Sequence, residues 1–155
     1  MSAHNQRLAT AVAVAAAALT LVPSASAKSK AFNGKFAGTA SVLVNGSAVT
    51  VKSVNGSGGA AGLTKLSGHN GTGTASGSCA FFSGKALLQG PSGKVALAVK
   101  STSKGCGSET AATVTGSATA KGLSGKLKGT KGAVTFSGTF DSSTGAFSIV
   151  MKGKV

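Results

Sequence analysis

The chain has 155 residues, 16 basic side chains against 2 acidic ones, and no Trp or Tyr. Glu109 and Asp141 are the whole carboxylate inventory, which excludes most acid–base enzymes, since their chemistry needs titratable groups in pairs. All 24 glycines follow position 27 and make up about 19% of that stretch, against about 7% in average proteins. Large apolar residues there reach only about 22%, so the expected core is lean.

Residues 1–27 read as an export signal. Arg7, with no acid near it, precedes a run from Leu8 to Val22 of Ala, Val and Leu broken only by Thr. Pro23 ends the run, and Ala25-Ser26-Ala27 supplies the small–x–small site that a signal peptidase cleaves ahead of Lys28. An uncleaved anchor is the rival reading, but about 15 apolar residues fall short of the ~20 a spanning helix needs. The expected organisation is a signal-peptide helix over 1–27, outside a single domain over 28–155 that is secreted to the extracellular side. In an oxidising compartment Cys79 and Cys106 are expected to pair as one disulfide. A metal site built from them with His69 would lack ligand spacing, and neither metal nor cofactor is expected.

After Ala27 the pattern is one of short strands and turns. Phe36–Ala40 is a first strand candidate. Val42–Val44 and Val49–Val51 then flank Asn45-Gly46, a hairpin signal of the type I′ kind. Ser67–Gly71, with His69 inside it, reads as a loop, and Gly73–Phe82 as one strand. Ala86–Gln89 pairs with Val95–Lys100 around Gly90-Pro91-Ser92-Gly93, and Thr110–Ala120 and Leu123–Lys128 are weaker strands. Near the end, Val134, Phe136, Gly138 and Phe140 alternate with polar residues, a turn spans Asp141–Gly145, and Phe147, Ile149 and Met151 continue the apolar face. Gly90-x-x-Gly93-x-Val95 recurs as Gly129-x-x-Gly132-x-Val134, and Ser83-Gly84-Lys85 as Ser124-Gly125-Lys126, an echo that reuse of the same turn chemistry explains. No helical periodicity appears after residue 27. The expected fold is all-β, a single antiparallel barrel of about eight strands, with a sandwich as the alternative. Glycines inside the strands would supply bends, bulges and interior room.

The stretch from Ala118 to Phe140, with its Gly-rich hairpin, resembles the dirigent and allene-oxide-cyclase barrels. It also resembles small exported bacterial proteins that end in Gly-Thr-Phe-Asp-x-x-Thr-Gly-x-Phe, here Gly138 to Phe147. The resemblance covers about 40 residues at the C-terminal end. It implies an eight-stranded, calycin-like barrel with an apolar interior cavity and, in some relatives, oligomers. The pockets of those families use Arg, Asp, Tyr or Glu, and this chain beyond residue 27 has no Arg, no Tyr and two acids. No catalytic residue therefore carries over.

The chemical inventory is thin. His69, Glu109 and Asp141 are far apart in sequence, and no Gly-x-Ser-x-Gly elbow accompanies an imagined Ser–His–Asp set. Asp141 reads as a turn cap and Glu109 as a surface partner for a lysine. Gly93-Lys94 and Gly125-Lys126 lack the remaining residues of a phosphate loop. Charge is the other strong feature, since the 15 lysines after Ala27 leave the mature chain near +13, a field that attracts polyanions. Absent arginine forks and stacking aromatics argue against nucleic acid and leave anionic envelope polymers, acidic polysaccharide or lipid headgroups, with Lys121, Lys126, Lys128 and Lys131 as the densest candidate patch. Lys126 and Lys128 would share one strand face. Dispersed lysines that merely keep the protein soluble are the plainer explanation. Three functions follow as expectations: a non-enzymatic barrel that binds a small apolar molecule, an envelope protein that holds anionic polymer through lysines, and a dirigent-like or cyclase-like catalyst resting on fold analogy alone.

Overall fold

A computed structural model describes residues 27–108 and 110–155. The expected export signal, with Ala25 of its cleavage site, and the acid Glu109 lie outside these residues, apart from Ala27 at the signal's edge.

Eight antiparallel strands follow one another around a closed barrel: β1 (Ala31–Asn45), β2 (Ala48–Ala60), β3 (Leu63–Ser76), β4 (Cys79–Gly90), β5 (Gly93–Ser108), β6 (Ala111–Gly125), β7 (Lys131–Phe140) and β8 (Ala146–Lys154). Each strand pairs with its neighbours in sequence, and β8 closes on β1 from Ala31↔Lys154 to Thr39↔Ala146. Closure leaves no unpaired edge for another chain to extend. The up-and-down order puts the β1–β2, β3–β4, β5–β6 and β7–β8 turns at one end. The other three turns and residues 27–30 gather at the opposite end, where Lys30 and Val155 exchange backbone hydrogen bonds of 2.7 and 2.9 Å.

Two-residue alternation sets which side chains fill the barrel. On β6, Ala112, Val114, Gly116, Ala118 and Ala120 face in, whereas Thr113, Thr115, Thr119 and Lys121 are exposed. Phe32, Phe36, Leu63, Leu88, Val95, Leu127, Val134 and Val155 are all buried and fill the end that carries residues 27–30 and Val155. Phe32 and Phe36 stack there with centroids 6.2 Å apart. We call this the closed end and the opposite one the mouth.

The structure corrects several boundaries expected from sequence. Gly73–Phe82 is not one strand: a two-residue turn, Gly77-Ser78, divides it between β3 and β4. Ser67–Gly71 is not a loop but the middle of β3, where Asn70 takes a φ of 55° at a bulge. Ala111–Ala120 and Leu123–Gly125 belong to the single strand β6, Thr110 lies in the turn before it, and residues 126–129 form the turn after it. In the β1–β2 hairpin Asn45 pairs with Ala48, so the central residues are Gly46 and Ser47, and of these only Gly46 has positive φ. That is the sign pattern of a type II′ turn rather than the expected I′. The I′ pattern occurs instead at Ala61-Gly62, with φ of 54° and 73°.

Bulges bend the strands at mid-height. Lys52 is an extra residue on β2, Asn70 on β3, and β5 accommodates an irregular segment between Val99 and Lys104. The buried Ser103 of that segment is satisfied by the backbone of Ser117: its Oγ donates to the carbonyl at 3.4 Å and accepts from the amide at 3.3 Å. A side chain at Gly116 would collide with both Ser103 and the Phe136 ring. The glycine therefore lets β6 close against the bulge.

Candidate functional site

The mouth half of the barrel is not filled. A cavity of about 480 Å³ opens between the mouth turns, within the range of about 300–1,000 Å³ usual for small-molecule sites. Val42, Val49, Val51 and Val54 line it from β1 and β2, and Val99 and Val114 from β5 and β6. Leu66, Leu97, Phe136, Phe147, Ile149 and Met151 belong both to this lining and to the packed core, so they form the floor where the filled half begins. Phe82 and Phe136 stack there with ring centroids 6.4 Å apart.

The room comes from residues that sequence reasoning reads as weak strand. On β3 the inward positions are Gly68, Gly71, Gly73 and Ala75, and on β4 they include Ala80, Gly84 and Ala86. A Cβ at Gly84 would stand 2.9 Å from the Cα of Gly71, so the backbones of β3 and β4 approach as closely as glycine permits. Gly105 on β5 differs: a Cβ there would meet only Val114 Cγ2, at 3.7 Å.

His69 and Lys85, partners across β3 and β4, also border the cavity but are solvent-exposed; the other side chains of the lining carry no charge. Polar groups collect at the rim, where Ser78, Ser108 and Ser142 surround the opening. Leu43 and Val44, at the tip of the β1–β2 hairpin, are 50% and 59% exposed and give one lip of the mouth an apolar surface.

Cys79 and Cys106 form the expected disulfide, with Cα atoms 4.0 Å apart. They face each other directly across β4 and β5 at the mouth, beyond the irregular part of β5, so the hairpin is tied at one end by its turn and at the other by the bridge. Among the described residues no group of three metal-ligating side chains occurs.

His69 is exposed on the outer face of β3, opposite Ser53 and Lys85. Asp141 follows β7, and three strands separate β3 from β7 in either direction around the barrel, so the two do not come together. Asp141 caps its own turn as expected. Its Oδ1 accepts from the Ser143 hydroxyl, from the Ser143 amide at 2.9 Å and from the Thr144 amide at 3.3 Å. The Ser143 hydroxyl, followed by these amides, holds the carboxyl below its ordinary range.

The four lysines of the expected patch do gather at the closed end. Lys121 and Lys131 are direct partners across β6 and β7. Lys126 and Lys128 lie in the following turn rather than on a shared strand face; both are exposed because Leu127 between them turns inward and is 1% exposed.

No protein-family model, curated protein or solved structure matches the chain.

Proposed function

We propose that the domain is a non-enzymatic binding protein, exported from the cell, that holds one small, uncharged apolar molecule inside its barrel. The observation that carries this reading is the unequal filling of the barrel: a tightly packed closed half under a cavity of about 480 Å³ walled by Val, Ala, Gly and Phe. Transfer of apolar surface into such a wall is favourable by about 25 cal/mol per Å², and the serine rim can hydrogen-bond a polar end left at the opening. A charged ligand would lose its hydration between the apolar walls, while Lys85 and His69 at their border stay exposed to solvent. The same lack of inward titratable groups favours binding over the dirigent-like or cyclase-like chemistry that fold analogy suggests. The outer face supports an aqueous setting. Rows such as Thr113, Thr115, Thr119 and Lys121 point outward and apolar residues inward, the reverse of a membrane-spanning barrel.

Titration with a neutral naphthylamine fluorophore, whose emission rises in apolar surroundings, tests the reading. Saturable one-to-one binding is expected, together with a raised Tm. Gly105→Leu, which places a side chain in the cavity where there is room for its Cβ, should weaken binding by about tenfold or more while leaving the folded barrel and its disulfide intact. Absence of saturable binding, or binding unaffected by Gly105→Leu, would overturn the proposal.

A further inference from the structure

The charge of the barrel is polarised along its axis. The mouth turns Gly46-Ser47, Gly77-Ser78 and Asp141–Gly145 contain no lysine, and Asp141, the acid among the described residues, sits there. Of the fifteen lysines after Ala27, all but Lys52, Lys85, Lys100 and Lys104 lie within four residues of a strand end on the closed side.

The β6–β7 turn makes a rigid platform of part of this charge. The buried Leu127 plugs the end of the barrel. Thr130 Oγ1 donates to the Leu127 carbonyl at 2.7 Å, the Gly129 amide to the Gly122 carbonyl at 3.0 Å, and the Lys126 amide to the Ser92 carbonyl at 3.0 Å. With Leu127 fixed inward, Lys126 and Lys128 must point to solvent. Lys121 and Lys131 oppose each other on the flanking strands, Lys94 stands opposite Ser124 on the β5 side, and Lys154 lies against Gly132 on the β8 side. None of these six has an acid among the described residues nearby on the same end. Like charges placed directly across a strand pair are destabilising, so a scatter of lysines serving solubility alone would avoid the Lys121–Lys131 pairing.

We propose that this platform binds a linear polyanion bearing phosphate groups, which holds the barrel with its mouth directed away from the polymer. Lysine ammonium groups act as point charges toward phosphate and need no fork geometry. Their placement on strand flanks as well as on the turn follows a curved surface that a flexible chain can wrap, whereas a bilayer offers a plane. The site is separate from the cavity and stands on a different observation.

Long-chain polyphosphate is the probe, with polyglutamate and anionic phospholipid vesicles as comparison arms. Two variants of equal net charge decide the matter: Lys121→Gln/Lys126→Gln/Lys128→Gln/Lys131→Gln, and the control Lys52→Gln/Lys85→Gln/Lys100→Gln/Lys104→Gln. Polyphosphate is expected to bind the wild type with affinity that falls steeply with salt, to lose about tenfold or more with the first variant, and to keep most of its affinity with the control. An unfolding midpoint no lower than that of the wild type shows that both variants remain folded. Equal losses in the two variants would show that diffuse charge alone is responsible and overturn the site. Vesicles or polyglutamate binding as tightly as polyphosphate would overturn the assignment to a phosphate polymer.

Discussion

Truncating Leu88 to alanine should destabilise the domain far more than truncating Val99, although both side chains face the barrel interior. Leu88 is fully buried in the closed half, among the residues of the core cluster. Leu→Ala at such a site removes the transfer free energy of the lost atoms and leaves a void, for a combined cost of about 3–4 kcal/mol. Val99 is half-buried and borders the cavity. It packs against the core cluster on one side and borders the cavity on the other, so Val99→Ala forfeits only part of the ~0.8 kcal/mol per buried carbon, about 1 kcal/mol in all. With an unfolding entropy scaled to a domain of this size, those costs correspond to Tm decreases of about 11–15 °C and about 3 °C. Denaturant titration without reductant, in which the slope m stays constant and the midpoint shifts, measures the difference. Equal losses in the two variants would refute the division into a filled half and an open half, because they would mean that Val99 is as tightly packed as Leu88.

Other consequences follow from particular residues. Replacing Cys79 and Cys106 by serine should lower stability by about 3.5 kcal/mol through the released unfolded chain, read as a lower denaturant midpoint matched by wild type in reductant. Ala61→Gly should stabilise by about 0.5–1 kcal/mol, because the φ of 54° costs any residue with a Cβ; a loss of stability would show that the β2–β3 turn is not as described. Asp141 has a folded pKa held below its ordinary 3.8, so its contribution is fully present above that value and is lost as the pH falls through the depressed folded pKa. Acid unfolding of Asp141→Asn should lack that component, and superimposable acid profiles would remove the cap from the account.

The C-terminal hairpin was legible because β7 and β8 alternate large apolar residues with polar ones, from Val134 through Met151, around a turn of Asp, Ser and Gly. Barrel closure was foreshadowed by strand number and by glycine inside strands. The β3–β4 boundary was not, since Gly77-Ser78 sits in a region where Gly71 and Gly73 already occur and turn chemistry cannot be told from strand glycine. The same ambiguity hid the cavity. Gly68, Gly71, Gly73 and Ala75 look like a poor strand by propensity, yet in the barrel they are the wall that leaves room. His69 seemed to lie in a loop because its neighbours are Ser, Gly and Asn; pairing with Ser53 and Lys85 overrides those preferences. The gathering of Lys121 with Lys131 depends on β6–β7 register, and the local sequence shows only that these lysines are close along the chain.

Native mass spectrometry of the protein, incubated with a total lipid extract and purified without reductant, tests the central claim most directly. The account predicts a one-to-one adduct of a small apolar molecule that leaves on denaturation and is lost in Gly105→Leu. Bare protein after that incubation, or an adduct retained equally by Gly105→Leu, would contradict it.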